Sequence, residues 1–260
     1  MITWDNFYLF AIVAVALWIL GAGFALFSNV KSRMAVILSV LGTITLSVFI
    51  AGFWISLQRP PLRTMGETRL WYSFFMGVSG LLTYLRWKYR WILAFSTIVG
   101  TVFVLLNILK PEIHDQSLMP ALQSFWFVPH VTVYIFSYSV LGCAFILSCM
   151  GLYRHRENYL EAADNLVYTG VAFFTIGMLT GAIWAKAAWG HYWSWDPKET
   201  WAAFTWAGYL LYIHLRLFRR SSPRTLYWVL IVSFLSLQMC WYGVNYLPSA
   251  QQSIHLYNRS

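Results

Sequence analysis

Charge is scarce in this sequence. Lys and Arg supply 18 residues and Asp and Glu nine in a chain of 260, so charged groups make up 10% against 59% hydrophobic. That is too little polar surface to coat a soluble globule of this size. Cysteine is also scarce: Cys143, Cys149 and Cys240 show no C-x-x-C spacing, which argues against a disulfide framework or a zinc site and leaves them as small apolar fillers. The opening lacks a basic n-region, carrying Trp4 and Asp5 instead, and no A-x-A site follows. The first apolar stretch is therefore expected to stay in the mature protein rather than leave as a signal peptide. Internal repeats, low-complexity tracts and linkers are absent from the pattern, so residues 1–260 read as a single membrane domain.

What is present is apolar sequence in helix-length runs. A bilayer core of roughly 30 Å needs about 20 apolar residues in helix. Eight such stretches occur, at about 7–27, 34–56, 70–86, 91–109, 129–152, 165–185, 197–218 and 225–247. The expected fold class is all-α, a polytopic membrane protein with about eight transmembrane helices. Lys31, Arg33, Arg86, Lys88, Arg90, Arg154, Arg156, Arg216, Arg219, Arg220 and Arg224 put eleven basic residues on one side, against seven on the other. By the positive-inside rule the eleven face the cytoplasm, which places both termini outside. The net charge of +9 is then mostly topology, and nucleic acid is not an expected partner.

Against this background residues 189–201, Trp-Gly-His-Tyr-Trp-Ser-Trp-Asp-Pro-Lys-Glu-Thr-Trp, stand apart. Trp184, Trp189, Trp193, Trp195, Trp201 and Trp206 concentrate six of the chain's 15 tryptophans in one region. An aromatic belt spreads its indoles over all helix ends; this density predicts a purpose-built platform on an external loop at about 186–200. Flat rings presented together suit a large aromatic ligand. If the loop carries a helical turn, Trp189 and Trp193 share a face, with Trp195 elsewhere unless the chain unwinds, which Gly190 makes easy. Asp196, Pro197 and Glu199 have the spacing of an N-cap, a first-turn proline and a capping-box acid.

The six histidines are separated by topology. His130, at the outer start of the fifth helix, and His255, beyond the outer end of the eighth, both flank the external loop. Two imidazoles across a flat macrocycle would make a bis-histidine haem site; a lone interfacial histidine is otherwise a polar anchor. His214 lies about 17 residues into the seventh helix, roughly 26 Å from its outer end at 1.5 Å per residue. With all nine carboxylates in loops or at helix edges, it is the clearest ionisable group within the bilayer and a functional candidate by default, a packing histidine being the alternative. His155 sits between two arginines on a solvated inner loop, and His114 and His191 are external reserve ligands.

The thirteen-residue run resembles the WWD signature of haem-handling membrane proteins, and its Lys-Glu-Thr-Trp ending is similar to the CcsA (ResC) family of system II cytochrome c biogenesis. The likeness extends to the stretch from Pro60 through Glu67, the Phe-Trp-x-x-Pro-His run ending at His130, the run through His214 to Arg216, and Gly243-Val244-Asn245-Tyr246 leading to His255. The tail departs from the family pattern by lacking a Gly-Leu lead and a Ser-Tyr-Gly trailer around that histidine.

The resemblance implies that haem b, as a non-covalent substrate, is taken from the cytoplasmic side and displayed outside to apocytochrome c. Its external axial ligands would be His130 and His255, its intramembrane ligand His214, and its platform Trp189, Trp193, Trp195 and Asp196. The implied partners are a CcsB (ResB)-type membrane subunit supplying the other intramembrane histidine, membrane lipid, and an apocytochrome c bearing C-x-x-C-H. The implied location is a bacterial inner membrane or a thylakoid membrane, with the tryptophan loop on the periplasmic, outer or lumenal side. The chain has no C-x-x-C-H of its own, so it is not itself a covalent c-type haem carrier. It would be one subunit of a cytochrome c haem lyase, with positioning and water exclusion as its contribution. Two other readings remain. One is a CcmC-type haem delivery protein without ligation activity. The other is an ion-coupled transporter of another solute, against which the lack of buried acids counts.

Overall fold

A computed structural model describes residues 1–27, 33–115, 124–218 and 221–246, with the side chain of Asn245 excepted. Among them are eight α-helices: α1 (Trp4–Phe27), α2 (Arg33–Leu57), α3 (Met65–Trp87), α4 (Arg90–Leu109), α5 (Phe127–Arg154), α6 (Tyr159–Trp189), α7 (Pro197–Leu217) and α8 (Pro223–Trp241). Short 3-10 turns follow α4 at Pro111–His114 and α8 at Gly243–Tyr246. The all-α expectation holds. Six helices, α1, α2, α4, α5, α6 and α8, are long and apolar enough to cross a membrane.

The helices form two compact units, α1–α4 and α5–α8. Although the sequence shows no internal repeat, the packing order repeats: in each unit the first helix lies against the second and fourth, and the third against the fourth and second. The third helix of each unit also opens on a capping box, Thr64 with Glu67 in α3 and Asp196 with Glu199 in α7. An N-cap of this kind contributes about 1 kcal/mol by satisfying backbone N–H groups that the helix itself leaves orphaned.

The first unit is held by aromatic packing and small residues. Trp18 lies against the α-carbon of Gly42, where a Cβ would come within 2.7 Å of its ring, and donates from Nε1 to Thr43 Oγ1 at 3.2 Å. Close helix approach over small residues replaces a hydrophobic driving force that lipid does not supply. At the end where α3 begins, buried Glu67 accepts two bonds from Arg59 at 2.9 and 2.8 Å and one from Arg63 N at 2.6 Å. The family-like stretch from Pro60 to Glu67 is thus a loop folded around one paired carboxylate. Beside it His114 stacks on Trp4, centroids 3.8 Å apart and planes within 4°. A side chain on Gly66 would meet that imidazole at 2.7 Å. Burial pushes His114 below its ordinary pKa, against the opposing pull of its bond to the Asn107 backbone. This reserve ligand is built into the first unit by its stack on Trp4.

The second unit differs from the expected spans at two helices. α6 runs from Tyr159 to Trp189 rather than 165–185, because Asp164 and Lys186, just beyond the apolar run, are satisfied in place. Asp164 accepts from Tyr212 Oη at 2.6 Å and is ion-paired with Arg216. It lies within a helix, contrary to the expectation that every carboxylate sits in a loop or at an edge, and it is paired there. α8 ends at Trp241 rather than near 247, giving way to the 3-10 turn at Gly243.

Candidate functional site

The platform is built where α6 stops and α7 starts. Gly190 takes φ +84 and caps α6, its N–H donating to Lys186 O at 3.1 Å while Lys186 Nζ donates to Gly190 O at 2.6 Å. This left-handed cap is glycine chemistry. It ends the helix at Trp189, so the loop is 190–196, shorter than the expected 186–200, and no helical turn carries Trp189 and Trp193 on one face. The rings pair differently. Trp189 packs edge-on against Trp184 of α6 at 5.1 Å, and Trp193 against Trp195 at 5.7 Å.

Trp195 is the point at which the chain unwinds. Its φ is +59, a left-handed conformation that costs a bulky L-residue about 1–2 kcal/mol. Its ring is 69% exposed. The Trp193 indole Nε1 is enclosed and has no acceptor among the described residues, a further penalty of about 1–3 kcal/mol. Stability alone does not account for this arrangement. Strain and an unmet donor fall together on one exposed aromatic loop.

The following turn anchors it. Asp196 accepts from Lys198 N at 2.8 Å as the N-cap of α7, with Pro197 at the first helical position, as the spacing predicts. Below the loop, Cys240 Sγ donates to Lys198 O at 3.4 Å and lies 3.8 Å from the donating Tyr138 hydroxyl. Cys240 is thus a hydrogen-bonded link between α5, α7 and α8 rather than only a filler.

His130, in the first turn of α5, sits in a cradle on α6. Its Nδ1 lies 2.8 Å from Gly177 O. A carbonyl only accepts, so Nδ1 carries a proton in this bond, and in the neutral tautomer that fits it the lone pair belongs to Nε2. That is the second-shell arrangement found behind metal-bound imidazoles. The ring stacks on buried Trp184 at 5.4 Å and 25°, and it rests on Gly181, where a Cβ would come within 2.6 Å of Cε1. Trp184 thus touches both His130 and Trp189, joining the candidate ligand to the tryptophan loop. Sequence reasoning missed Gly177 and Gly181 as supports. Their G-x-x-x-G spacing, a signature of close helix approach, was the available signal.

His214 lies in the last turn of α7, its ring exposed on the surface of the second unit and 5.8 Å from Phe218. On either side of it, Tyr212 and Arg216 reach back to Asp164 of α6. The helix end that carries His214 is thereby fixed while the imidazole faces outward. His191 is exposed in the platform loop, and exposed His155 caps α5 at φ +50. His255 lies outside the described residues.

Residues 4–251 match the family described as "Cytochrome C assembly protein". The chain belongs to the CcsA family of cytochrome c assembly proteins. Among its relatives is the "Cytochrome c biogenesis protein CcsA" of Chlamydomonas reinhardtii, 36% identical over 180 residues that cover 64% of this chain and 51% of that protein. The CcsA protein of Panax ginseng is 29% identical over 272 residues, covering 85% and 83%. That of Trachelium caeruleum is 31% identical over 258 residues, covering 79% and 82%. Like its apolar helices, this CcsA membership marks the chain as an integral membrane protein. The chain spans about half of the Chlamydomonas relative and more than four fifths of the other two.

Proposed function

We propose that this chain acts in cytochrome c biogenesis as the subunit that carries haem across the membrane and presents it for attachment. The observation that carries the reading is His130: its Nδ1 is held by a backbone carbonyl, its ring is backed by Trp184, and the tryptophan loop begins at the next aromatic contact. In this reading all eight helices span the bilayer, with both termini and the loop outside. His214 and a histidine of a CcsB-type partner grip haem b near the cytoplasmic face. The exposure of His214 supports a ligand that a second chain completes. His130 and His255 then hold the iron outside while Trp189, Trp193, Trp195 and Asp196 seat the macrocycle. There the apocytochrome cysteines of C-x-x-C-H add to the vinyl groups, forming two thioether bonds.

Within that reaction the chain's residues position and exclude water more than they move protons. The Trp193–Trp195 pair offers ring area, and His130 offers a lone pair whose direction Gly177 fixes. Reversible ligation lets the client's own histidine displace one imidazole.

His214 supplies the test. In the His214→Gly variant of the full complex, haem recovered from the intramembrane site should be lost, and added imidazole, small enough to fill the vacated space, should restore part of it. An unchanged haem yield would leave His214 an exposed side chain with no part in haem handling and remove the inner half of the pathway.

A further inference from the structure

The loop that carries the platform turns around one carboxylate. Glu199 is the third residue of α7 and 9% exposed. A capping-box acid needs only to reach back to the N-cap N–H, which Glu199 Oε2 does at 3.2 Å from Asp196 N. The same oxygen also accepts from Ser194 N at 2.8 Å and from Ser194 Oγ at 3.3 Å. The next residue, Thr200, donates its hydroxyl to Trp195 O at 3.1 Å. The peptide unit between Trp195 and Asp196 is therefore held at both ends, its N–H by Glu199 and its carbonyl by Thr200. The amide preceding Trp195 by one residue is held by Glu199 as well. Between these fixed points stands the residue with a left-handed backbone and an exposed indole.

We infer that Glu199 is a positioning residue for the haem platform, holding Trp195 in its left-handed conformation so that its indole is presented beside that of Trp193. This rests on the proposed function and adds to it the residue that sets the shape of the platform. Glycine at 195 would adopt the same backbone without an anchor. A tryptophan there persists only where its surroundings impose the geometry, and the hydrogen bonds that impose it converge on Glu199 and Thr200.

The experiment uses the full chain purified with its partner membrane subunit, and reads two quantities: haem bound per protein, from the Soret band, and hydrogen exchange of the Ser194 and Asp196 amides. Glu199→Ala should lower haem occupancy by about 10-fold, the usual scale for loss of an outer-shell support, and should release both amides to fast exchange. Glu199→Gln keeps an acceptor oxygen and should restore most of both. Trp195→Gly should lose haem while the chain remains as thermally stable as the parent or more so. The double variant Glu199→Ala, Trp195→Gly should bind as much haem as Trp195→Gly alone, because the two changes act through one ring. Additive haem losses in the double variant, or full haem occupancy in Glu199→Ala with Trp195→Gly defective, would leave Glu199 as a helix cap and overturn the inference. A parent complex without haem would remove the proposed function. The amide exchange would then still decide the anchor, slow in the parent and in Glu199→Gln if it stands, fast in both if it falls.

Discussion

His130→Gly is expected to abolish attachment of haem to apocytochrome c while leaving haem loading at the inner site intact. The ring it removes is held by Gly177 O at 2.8 Å and backed by Trp184, so the deletion opens a ring-sized space between α5 and α6 beside the tryptophan loop. Free imidazole fits that space and, in the proposed topology, reaches it from outside and can take the side chain's place on the iron. Maturation of a reporter cytochrome c should therefore return in part when imidazole is added. His255→Gly should behave in the same way. His191→Gly and His114→Gly serve as comparisons: His191 is exposed on the loop and His114 is stacked on Trp4 in the first unit. If His191→Gly failed while His255→Gly matured cytochrome normally, the second external ligand would lie inside the tryptophan loop.

Gly181→Ala should reproduce most of that defect without touching a histidine. A Cβ at this position comes within 2.6 Å of His130 Cε1 and 2.7 Å of Nδ1. The ring must move, and moving it breaks the bond to Gly177 that orients Nε2. Loss of such support typically costs about 10- to 100-fold in metal affinity or activity. Imidazole should not help here, since the displaced ring still fills the space. That difference in rescue separates a misplaced ligand from a missing one. Gly23→Ala is the matched comparison, with nothing within 4 Å of its added Cβ, and should mature cytochrome normally. Normal maturation by Gly181→Ala as well would show that the orientation of His130 is immaterial.

Hydropathy located α1, α2 and α4 within a few residues, because their charged residues lie outside the helices or at their very ends. It cut α6 short at both ends for the same reason in reverse. Asp164 and Lys186 stand one residue beyond the apolar run at 165–185, yet each is satisfied inside the helix, by Arg216 and Tyr212 in one case and by the Gly190 carbonyl in the other. Pairing over 48 residues leaves no local trace. The cap of α7 was legible because an N-cap, a proline and an acid at fixed offsets act through neighbouring backbone. The pairing of the tryptophans was not. It depends on Gly190 ending α6 one residue after Trp189 and on Trp195 adopting positive φ between two amides that Glu199 holds, one of which, Ser194 N, lies beyond its own capping box. Likewise the sequence points to His130 by its place at a helix end, but the carbonyl that orients its ring lies 47 residues away. The surroundings of His114 were equally illegible: its ring is stacked on an indole from the start of the chain.

The most direct test is the visible absorption spectrum of the full complex, purified from membranes with its partner subunit and recorded before and after reduction. The account predicts non-covalent haem with the low-spin spectrum of six-coordinate, bis-histidine iron, and a loss of the external component in His130→Gly that added imidazole reverses. A colourless complex that still matures cytochrome c would contradict it.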